Sequence, residues 1–528
     1  MVPISGSQLC ADRTFLCNNW VLILQAQGCV IVVLLAIGWL YAAQCRLQEL
    51  ERIRKSERKG NTLAFLSHDG GGLSYKAQSG LPSVSVILPV KGIGEHSVSN
   101  WETQLATLYG GEIEYLFIVE DGADPACEAI TSLIEELADD VTAHLVIAGW
   151  ATTCSQKIHN QLAGVAAMSK SSKYVLFLDD DIQVHPGTVG QLVACMEKEP
   201  EVFMVTGYPF DIPDGSMINY CFMEYHLPLF IGFSTGGQTA FVWGGCMMMH
   251  ADDWRTDRYG MATAWKNGGY SDDLILASIA GDNGRKVICP PMAVFLYPLS
   301  GKCTVGRYWN YLRRQIFVLE TYCSLHNQIV NRALFLAHCY LSWGLVLPLV
   351  PTAVHLALSL TSLTARGLRL LVPGDEHPGA PGVVDGTSCT TGCALAWALV
   401  GCFYLAYLAL KHMAQAVIDL CNALAPEQPP VSLDSIRWPM VLAGMVVGEF
   451  MYPLCAVWTF VHAQVEWSGV VYTRSNGKIC KVERPPGNSL HRKDSSPSWE
   501  STKRYGTWIA SLLRIYLLRR RNCAKLEA

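Results

Sequence analysis

The chain has 528 residues, of which half are hydrophobic and 16% charged, with a formal net charge of −5 and a mean hydropathy of +0.22. The length allows two or three domains, and the apolar balance points to a membrane protein with a soluble part. The small acidic charge excludes the basic surface of a nucleic-acid binder, and twenty cysteines without a C-x-x-C pair or a Cys/His zinc pattern exclude a zinc module and read as reduced structural thiols.

Residues 20–43 are apolar almost throughout and long enough to span a bilayer. The run is too long for a removable signal peptide, so residues 1–45 are expected to form a signal anchor. Residues 46–82 read as a basic flank and linker: Arg46, Arg52, Arg54, Lys55, Arg58 and Lys59 come first, then a stretch rich in Gly and Ser. The positive-inside rule puts this flank, and the segment after it, in the cytosol.

From residue 83 the pattern changes. SVSVILPV, EIEYLFIVEDG, AHLVIAG, YVLFLDDD and VFMVTGYP read as strands, with helical stretches at 125–138 and 159–168. Strands alternating with helices predict an α/β domain with a mostly parallel sheet over 83–325. In such sheets ligands bind beyond the carboxyl ends of the strands, which is where Asp121 and the run Asp179, Asp180, Asp181 fall. Side chains alternate along an extended chain, so Asp179 and Asp181 point the same way. Two carboxylates on one side call for a hard divalent cation; a solvated acidic turn or a helix cap is the plainer reading. SQKIHNQLAG puts Lys157 and Asn160 at the start of a helix. In GGYSDDLILASIAG, Ser271 fits an N-cap and Gly281 the stop, with Asp272 and Asp273 in the first turn. Aspartates there commonly complement the helix dipole. Beside a carboxylate-lined strand end, they are also candidates for a general base.

After about residue 325 the chain is apolar again. Residues 326–465 are expected to be membrane-embedded, with candidate spans at 333–363, 393–410 and 439–461 and a Pro/Gly-rich loop at 373–386. Residues 466–528 read as a basic tail, with Arg474, Lys478, Lys481, Arg484 and the triplet Arg519, Arg520 and Arg521. The positive-inside rule wants that tail in the cytosol, whereas four simple spans from a lumenal amino terminus would put it in the lumen. Either one segment is re-entrant or interfacial, or one is a hairpin. The 333–363 run is broken by Pro348 and Pro351, and the last span carries Glu449 and Pro453.

Five stretches carry a resemblance: GYPFDIPDGS, WGGCMMMHADDWRTDRYG, GGYSDDL, GRYWNYLRRQ and VEWSGVVYTRSNGKI. They resemble the inverting nucleotide-sugar glycosyltransferases of the family that contains ceramide glucosyltransferase, its plant-type members above all, and the likeness covers most of the chain. It implies a GT-A-type nucleotide-sugar-binding domain with transmembrane helices at both ends. It also implies a multi-pass protein of the ER or Golgi membrane with its catalytic domain facing the cytosol. The family pattern is an aspartate, a D-x-D-like motif, a further aspartate and then Q/R-x-x-R-W. The first aspartate maps to Asp121 or Asp124 and implies a contact with the uridine of the donor; Lys157 matches a further family position. The second maps to Asp179, with Asp181 as the other arm holding Mg2+ or Mn2+. The third maps to Asp273, which the resemblance makes the catalytic base.

His226, in YHLPLF, matches a histidine expected to line the acceptor pocket; an ordinary buried histidine is the plainer reading. The last motif departs. NYLRR puts Asn310, Arg313 and Arg314 where the family has Gln/Arg, Arg and Trp, so the stacking Trp is missing and Trp309 or Tyr311 could cover the gap. Arg313 and Arg314 would still add positive charge to the donor diphosphate. RYWNYLRRQIFVLETY also reads as an amphipathic helix at the membrane surface. WGGCMMMH, at 243–250, could border a lipid groove or be a buried strand. The implied reaction moves glucose from UDP-glucose to the primary hydroxyl of ceramide in the bilayer, with inversion to β-glucosylceramide. The alternatives are a processive β-polysaccharide synthase, which needs Q-x-x-R-W and more spans, and a catalytically inactive homologue.

Overall fold

The computed structural model describes residues 18–61, 63–66, 80–199, 201–299, 301, 303–371 and 386–484. The arginine triplet Arg519, Arg520 and Arg521 and the expected Pro/Gly-rich loop, apart from Gly386, lie outside them. The apolar amino-terminal run and the first part of its basic flank form one unbroken helix, α1 (Asn19–Arg58). It is opened by Asn18, whose side chain accepts from the Trp20 N–H at 3.2 Å.

The alternating pattern after residue 83 folds as expected: β1 (Val84–Pro89), α2 (Ser97–Leu105), β2 (Ile113–Val119), α3 (Ala126–Glu136), β3 (Thr142–Ile147), α4 (Gln156–Ala167), β4 (Tyr174–Leu178), α5 (Thr188–Lys198), β5 (Val202–Thr206) and β6 (Tyr208–Ile212). Then come α6 (Met217–Leu229), β7 (Gln238–Thr239), β8 (Cys246–His250), α7 (Ala251–Arg255), α8 (Met261–Lys266), α9 (Asp272–Asp282), β9 (Lys286–Ile288), β10 (Val294–Pro298) and α10 (Val305–Leu319). The main sheet has the order β3-β2-β1-β4-β8-β5-β9-β7. Its ladders β3/β2, β2/β1, β1/β4 and β5/β9 are parallel, and β4/β8, β8/β5 and β9/β7 are antiparallel. Strand β4 is buried along its whole length, as expected for a strand with helices on both faces of its sheet.

WGGCMMMH supplies β8, in which Met247, Met248 and Met249 are wholly buried in the middle of this sheet. Of the two readings of that stretch, the buried strand is the observed one. The run VFMVTGYP, expected to be one strand, divides at Gly207 between β5 of the main sheet and β6, which pairs with β10 in a small second sheet. A Cβ on Gly207 would lie 2.8 Å from the Ala293 carbonyl oxygen, so this turn closes only around a glycine.

The apolar region supplies α11 (Leu325–Val346), α12 (Leu349–Leu371), α13 (Gly386–Leu424) and α14 (Trp438–Val461). Among the described residues, four stretches are long and apolar enough to cross a membrane: Asn19–Arg58, Leu325–Thr364, Thr390–Leu424 and Trp438–Val461. The expected span at 333–363 divides at Pro348 into α11 and α12, because proline withdraws a backbone donor from the helix. Helix α13 runs along α1. Helix α14 lies on α6, and close approach is set by two glycines one turn apart. A Cβ on Gly444 would sit 2.8 Å from the Tyr220 carbonyl oxygen, and one on Gly448 would collide with the Glu224 carboxylate. Helix α1 joins the same assembly through Trp39, whose indole N–H donates to the Leu227 carbonyl at 2.9 Å.

Within the stretch read as a basic tail, β11 (Gln464–Trp467), β12 (Val470–Ser475) and β13 (Lys478–Glu483) form an antiparallel sheet. It packs Val465, Val470, Tyr472 and Ile479 against Tyr270 and Phe317 of the α/β domain. Arg474 pairs with buried Glu320 at 3.2 Å beneath it. The described cysteines are free thiols.

Candidate active site

Strand β8 runs antiparallel to β4 with Cys246 opposite Leu178, so the turn before β8 lies beside the exit of β4. The Asp179 N–H donates to the Gly245 carbonyl at 3.0 Å. Gln104, from α2, donates to the carbonyls of Asp179 and Ile182 at 2.9 and 3.0 Å and fixes the acidic turn from below. Helix α9 is capped by Ser271, which accepts from the Leu274 N–H at 3.2 Å, as its sequence predicts. Its first turn faces the same place. A Cβ on Gly244 would stand 2.7 Å from an Asp272 oxygen, so a glycine is what admits this carboxylate beside β4.

Lys157, from the first turn of α4, bridges the two elements. Its Nζ is 2.7 Å from Asp179 Oδ1 and 3.0 Å from Asp272 Oδ2, and it also donates to the Gly244 carbonyl at 3.2 Å. Burial by itself lowers a lysine, but Asp179 and Asp272 outweigh it and hold this ammonium above the ordinary lysine range. Asp179 is pushed up to about 7, first by burial; Lys157 pulls it down, while Asp181 and Asp272 push it further up. Asp181 is raised by burial against a hydrogen bond from the Tyr297 hydroxyl at 2.9 Å; it still reaches solvent, so water screens it most. Asp273 is half-buried and stands outside the Lys157 ion pairs. It accepts from the Ser271 hydroxyl, from the Leu274 N–H at 2.7 Å and from the Gly244 N–H at 3.3 Å. Burial and then Asp272 raise its carboxyl.

On the side toward α14 stand α6 and α10. His226 Nδ1 is 2.6 Å from Asp211 Oδ2, and its Nε2 is 2.8 Å from the Tyr311 hydroxyl. Arg314 is close enough to pull Asp181 down, and its guanidinium lies 4.4 Å over the ring of Trp467 from β11. A tryptophan therefore does stand against the NYLRR stretch, supplied from far along the chain.

The structure thus gathers Lys157, Asp179, Asp181 and Asp273 at the exit of β4, with Arg314 near Asp181 and His226 joined to them through Tyr311. Asp121 sits half-buried at the exit of β2, where one oxygen accepts from the Ala123 N–H at 3.1 Å. Three other expected site residues face elsewhere. Asp124 is buried and its oxygens accept from the backbone N–H groups of Gly92 and Ala126 at 2.9–3.1 Å. Arg313 donates to the Gln464 carbonyl at 2.7 Å. Trp309 packs against the apolar cluster that contains Phe222, Tyr308 and Tyr452. Sequence reasoning missed Gln104, Asp211, Tyr297, Trp467 and Arg484. The last donates to the Ala151 carbonyl at 3.2 Å and to Gln156, which brings the end of β13 to the strand exits. Asp211 and Trp467 had a signal, lying inside the quoted GYPFDIPDGS and VEWSGVVYTRSNGKI, and Arg484 was noted only for its charge; Gln104 and Tyr297 meet the site through long-range packing.

The acidic cluster and its buried lysine thus lie beyond the carboxyl ends of strands in a mixed, largely parallel sheet, which is where α/β domains bind their ligands. Comparison bears on the class: residues 60–227 match the model of glycosyl transferase family 21, so this part of the chain is similar to a glycosyltransferase domain. The match includes Asp121, Asp124, Lys157, Asp179, Asp181, Asp211 and His226. Among solved structures, the chain is similar to the mannosyltransferase PcManGT from Pyrobaculum calidifontis, in complex with GDP-Man and Mn2+. That likeness has 14% identity and a TM-score of 0.36, covering 70% of this chain and 97% of that one. It is also similar to S. aureus TarS 1-349 in complex with UDP-GlcNAc, with 10% identity and a TM-score of 0.30, covering 75% of this chain and 98% of that one. Such distant likenesses assign neither a substrate nor a residue's role.

Proposed function

We propose that this protein is an inverting ceramide glucosyltransferase, with a GT-A-type catalytic domain facing the cytosol from the ER or Golgi membrane. It would transfer glucose from UDP-glucose to the primary hydroxyl of ceramide. The observation that carries this reading is the position of the cluster of Lys157, Asp179, Asp181 and Asp273. It lies near α6 and α10, through Tyr225 and Arg314, and these helices pack on the apolar helix α14. A polar reaction site so close to a potential membrane span suits an acceptor that stays in the bilayer. The family match supports sugar transfer, and the resemblance carried by the five sequence stretches supports the ceramide acceptor.

The donor set suits Mg2+ or Mn2+. Asp179 and Asp181 offer hard oxygens side by side, and such a cation completes its shell with phosphate and water. Among the described residues no group of three or more His, Cys, Asp or Glu side chains is placed to hold a metal ion, so Asp179 and Asp181 would be its two protein ligands. When bound, the cation supplies Lewis-acid neutralisation of the departing diphosphate. Lys157 adds a charge that stays positive throughout the working pH range, and Arg314 adds another. Asp121 is the better placed of the two uridine candidates, because Asp124 is occupied by backbone donors. Asp273 would take the proton of the acceptor hydroxyl as the oxygen attacks C1 from the face opposite UDP. Its raised pKa makes it a stronger base than an exposed aspartate. One displacement on that face turns an α-linked donor into a β-glycoside, and the proton ends on Asp273. His226 would border the acceptor, with Trp309 further toward the membrane.

Membranes carrying the protein, given labelled UDP-glucose, short-chain ceramide and Mn2+, should form glucosylceramide. Asp179→Ala and Asp273→Asn should each lower the rate at least about a hundredfold. A folded, inserted protein that makes no product with any common UDP-sugar is instead an inactive homologue.

A further inference from the structure

Strands β6 and β10 pair in parallel with Tyr297 opposite Asp211. From this one rung, Tyr297 reaches Asp181 on the donor side and Asp211 reaches His226 on the other. Asp211 is 2% exposed, and its second oxygen has no hydrogen-bond partner. A carboxylate only accepts, so the 2.6 Å contact requires a proton on His226 Nδ1. In the neutral imidazole that leaves a lone pair on Nε2, and the Tyr311 hydroxyl, 2.8 Å away, donates to it. The lone pairs of the tyrosine oxygen are thereby turned away from the histidine. Tyr311 is half-buried and stands near Arg314 and Asp181. Its ring meets Tyr225 edge to face at 5.5 Å, and Tyr225 in turn lies near Asp273.

We infer that Asp211 is a positioning residue. Through His226 it fixes the Tyr311 hydroxyl as a hydrogen-bond acceptor for an N–H or O–H group beside the reacting hydroxyl of the lipid acceptor. This rests on the glucosyltransferase reading for the identity of the acceptor, but the hydrogen-bond line itself does not. A line that merely anchored α6 would leave acceptor recognition untouched when its outer end, Tyr311, is trimmed.

The test uses full-length protein in detergent–lipid micelles, with Asp211→Asn, Tyr311→Phe and the double variant. Tyr311→Phe should raise the KM for short-chain ceramide about tenfold, the loss of one hydrogen bond, and leave the KM for UDP-glucose within about twofold. Asp211→Asn should do the same, and the double variant should be no worse than Tyr311→Phe. In 15N-histidine spectra, the His226 signal, identified by its loss in His226→Gln, should report an Nδ1–H tautomer in the wild type. Equal effects on both KM values, additive losses in the double variant, or an Nε2–H tautomer would each overturn the inference. Tyr311→Phe decides the matter even if buried Asp211 tolerates no change. If the wild type transfers no sugar, the proposed glucosyl transfer fails, and the tautomer alone then decides whether the line exists.

Discussion

Replacing Lys157 by methionine keeps the length of its stem and removes the charge that separates two aspartates. Lys157 is 16% exposed, Asp179 26% and Asp272 9%. At an effective dielectric near 20, each contact contributes about 6 kcal/mol of gross attraction. Desolvation cancels much of that, and breaking a buried pair on one side typically costs about 3–5 kcal/mol. Because Asp179 keeps some contact with water, the net loss should be about 2–4 kcal/mol, which for a domain of this size lowers the melting temperature by about 5–15 °C. The loss should depend on pH. Asp179 is already pushed up to about 7 with the lysine present, so without it the carboxyl titrates higher still, and protonation relieves the repulsion in mild acid. Thermal unfolding of the detergent-solubilised protein, followed by tryptophan fluorescence at a fixed scan rate, should show the full loss near about pH 8 and a much smaller one near about pH 5.5. An unchanged melting temperature near pH 8, or the same loss at both pH values, would show that the aspartates are not held as a charged pair around Lys157.

Burial and then Glu136 push the buried Glu102 up to about 7, from an ordinary value of 4.5. A raised acid favours the folded state fully below its unfolded value and loses that contribution as pH rises through 7. Glu102→Gln should therefore stabilise the protein by about 2 kcal/mol near pH 8.5 and change little near pH 4.5, read from melting curves. Gly448→Leu drives a side chain into Glu224 between α14 and α6. Overpacking of this kind costs about 1–3 kcal/mol, and because α6 carries His226, the KM for the lipid should rise while that for the nucleotide sugar holds. Trp467→Ala frees Arg314 from its ring; loss of a partly buried cation–π contact of about 1–2 kcal/mol should lower kcat/KM about tenfold, with Trp467→Phe recovering most of it.

Much of the acidic cluster around Lys157 was legible because its signals are local. A buried five-residue run ending in three aspartates had to be a strand with an acidic exit, and Ser271 ahead of two aspartates had to be a capped helix start. What the local pattern lacked was the way these pieces meet. The glycine pair before β8 opened a stretch that could border a lipid groove or be a buried strand, and neither reading showed that it is the gap that lets Asp272 approach Lys157. Asp124 and Asp121 were equivalent by spacing; they differ because Asp124 turns back to cap its own loop and helix. The site's second half depends on contacts between distant segments: Asp211 with His226, Tyr297 with Asp181, and Trp467 with Arg314. Trp467 answers the gap in NYLRR from a sheet that a basic-tail reading does not suggest. The strand alternation there is short and lies among charges, so it carried little weight against composition.

The most direct measurement is the anomeric configuration of the lipid product, read from the coupling of its sugar H1 after incubation with UDP-glucose, ceramide and a divalent cation. Inverting transfer predicts a β-glucoside made by the wild type and lost in Asp273→Asn, which should still bind UDP. An α-glucoside, or a β-glucoside formed at the wild-type rate by Asp273→Asn, would contradict an inverting transfer with Asp273 as its base.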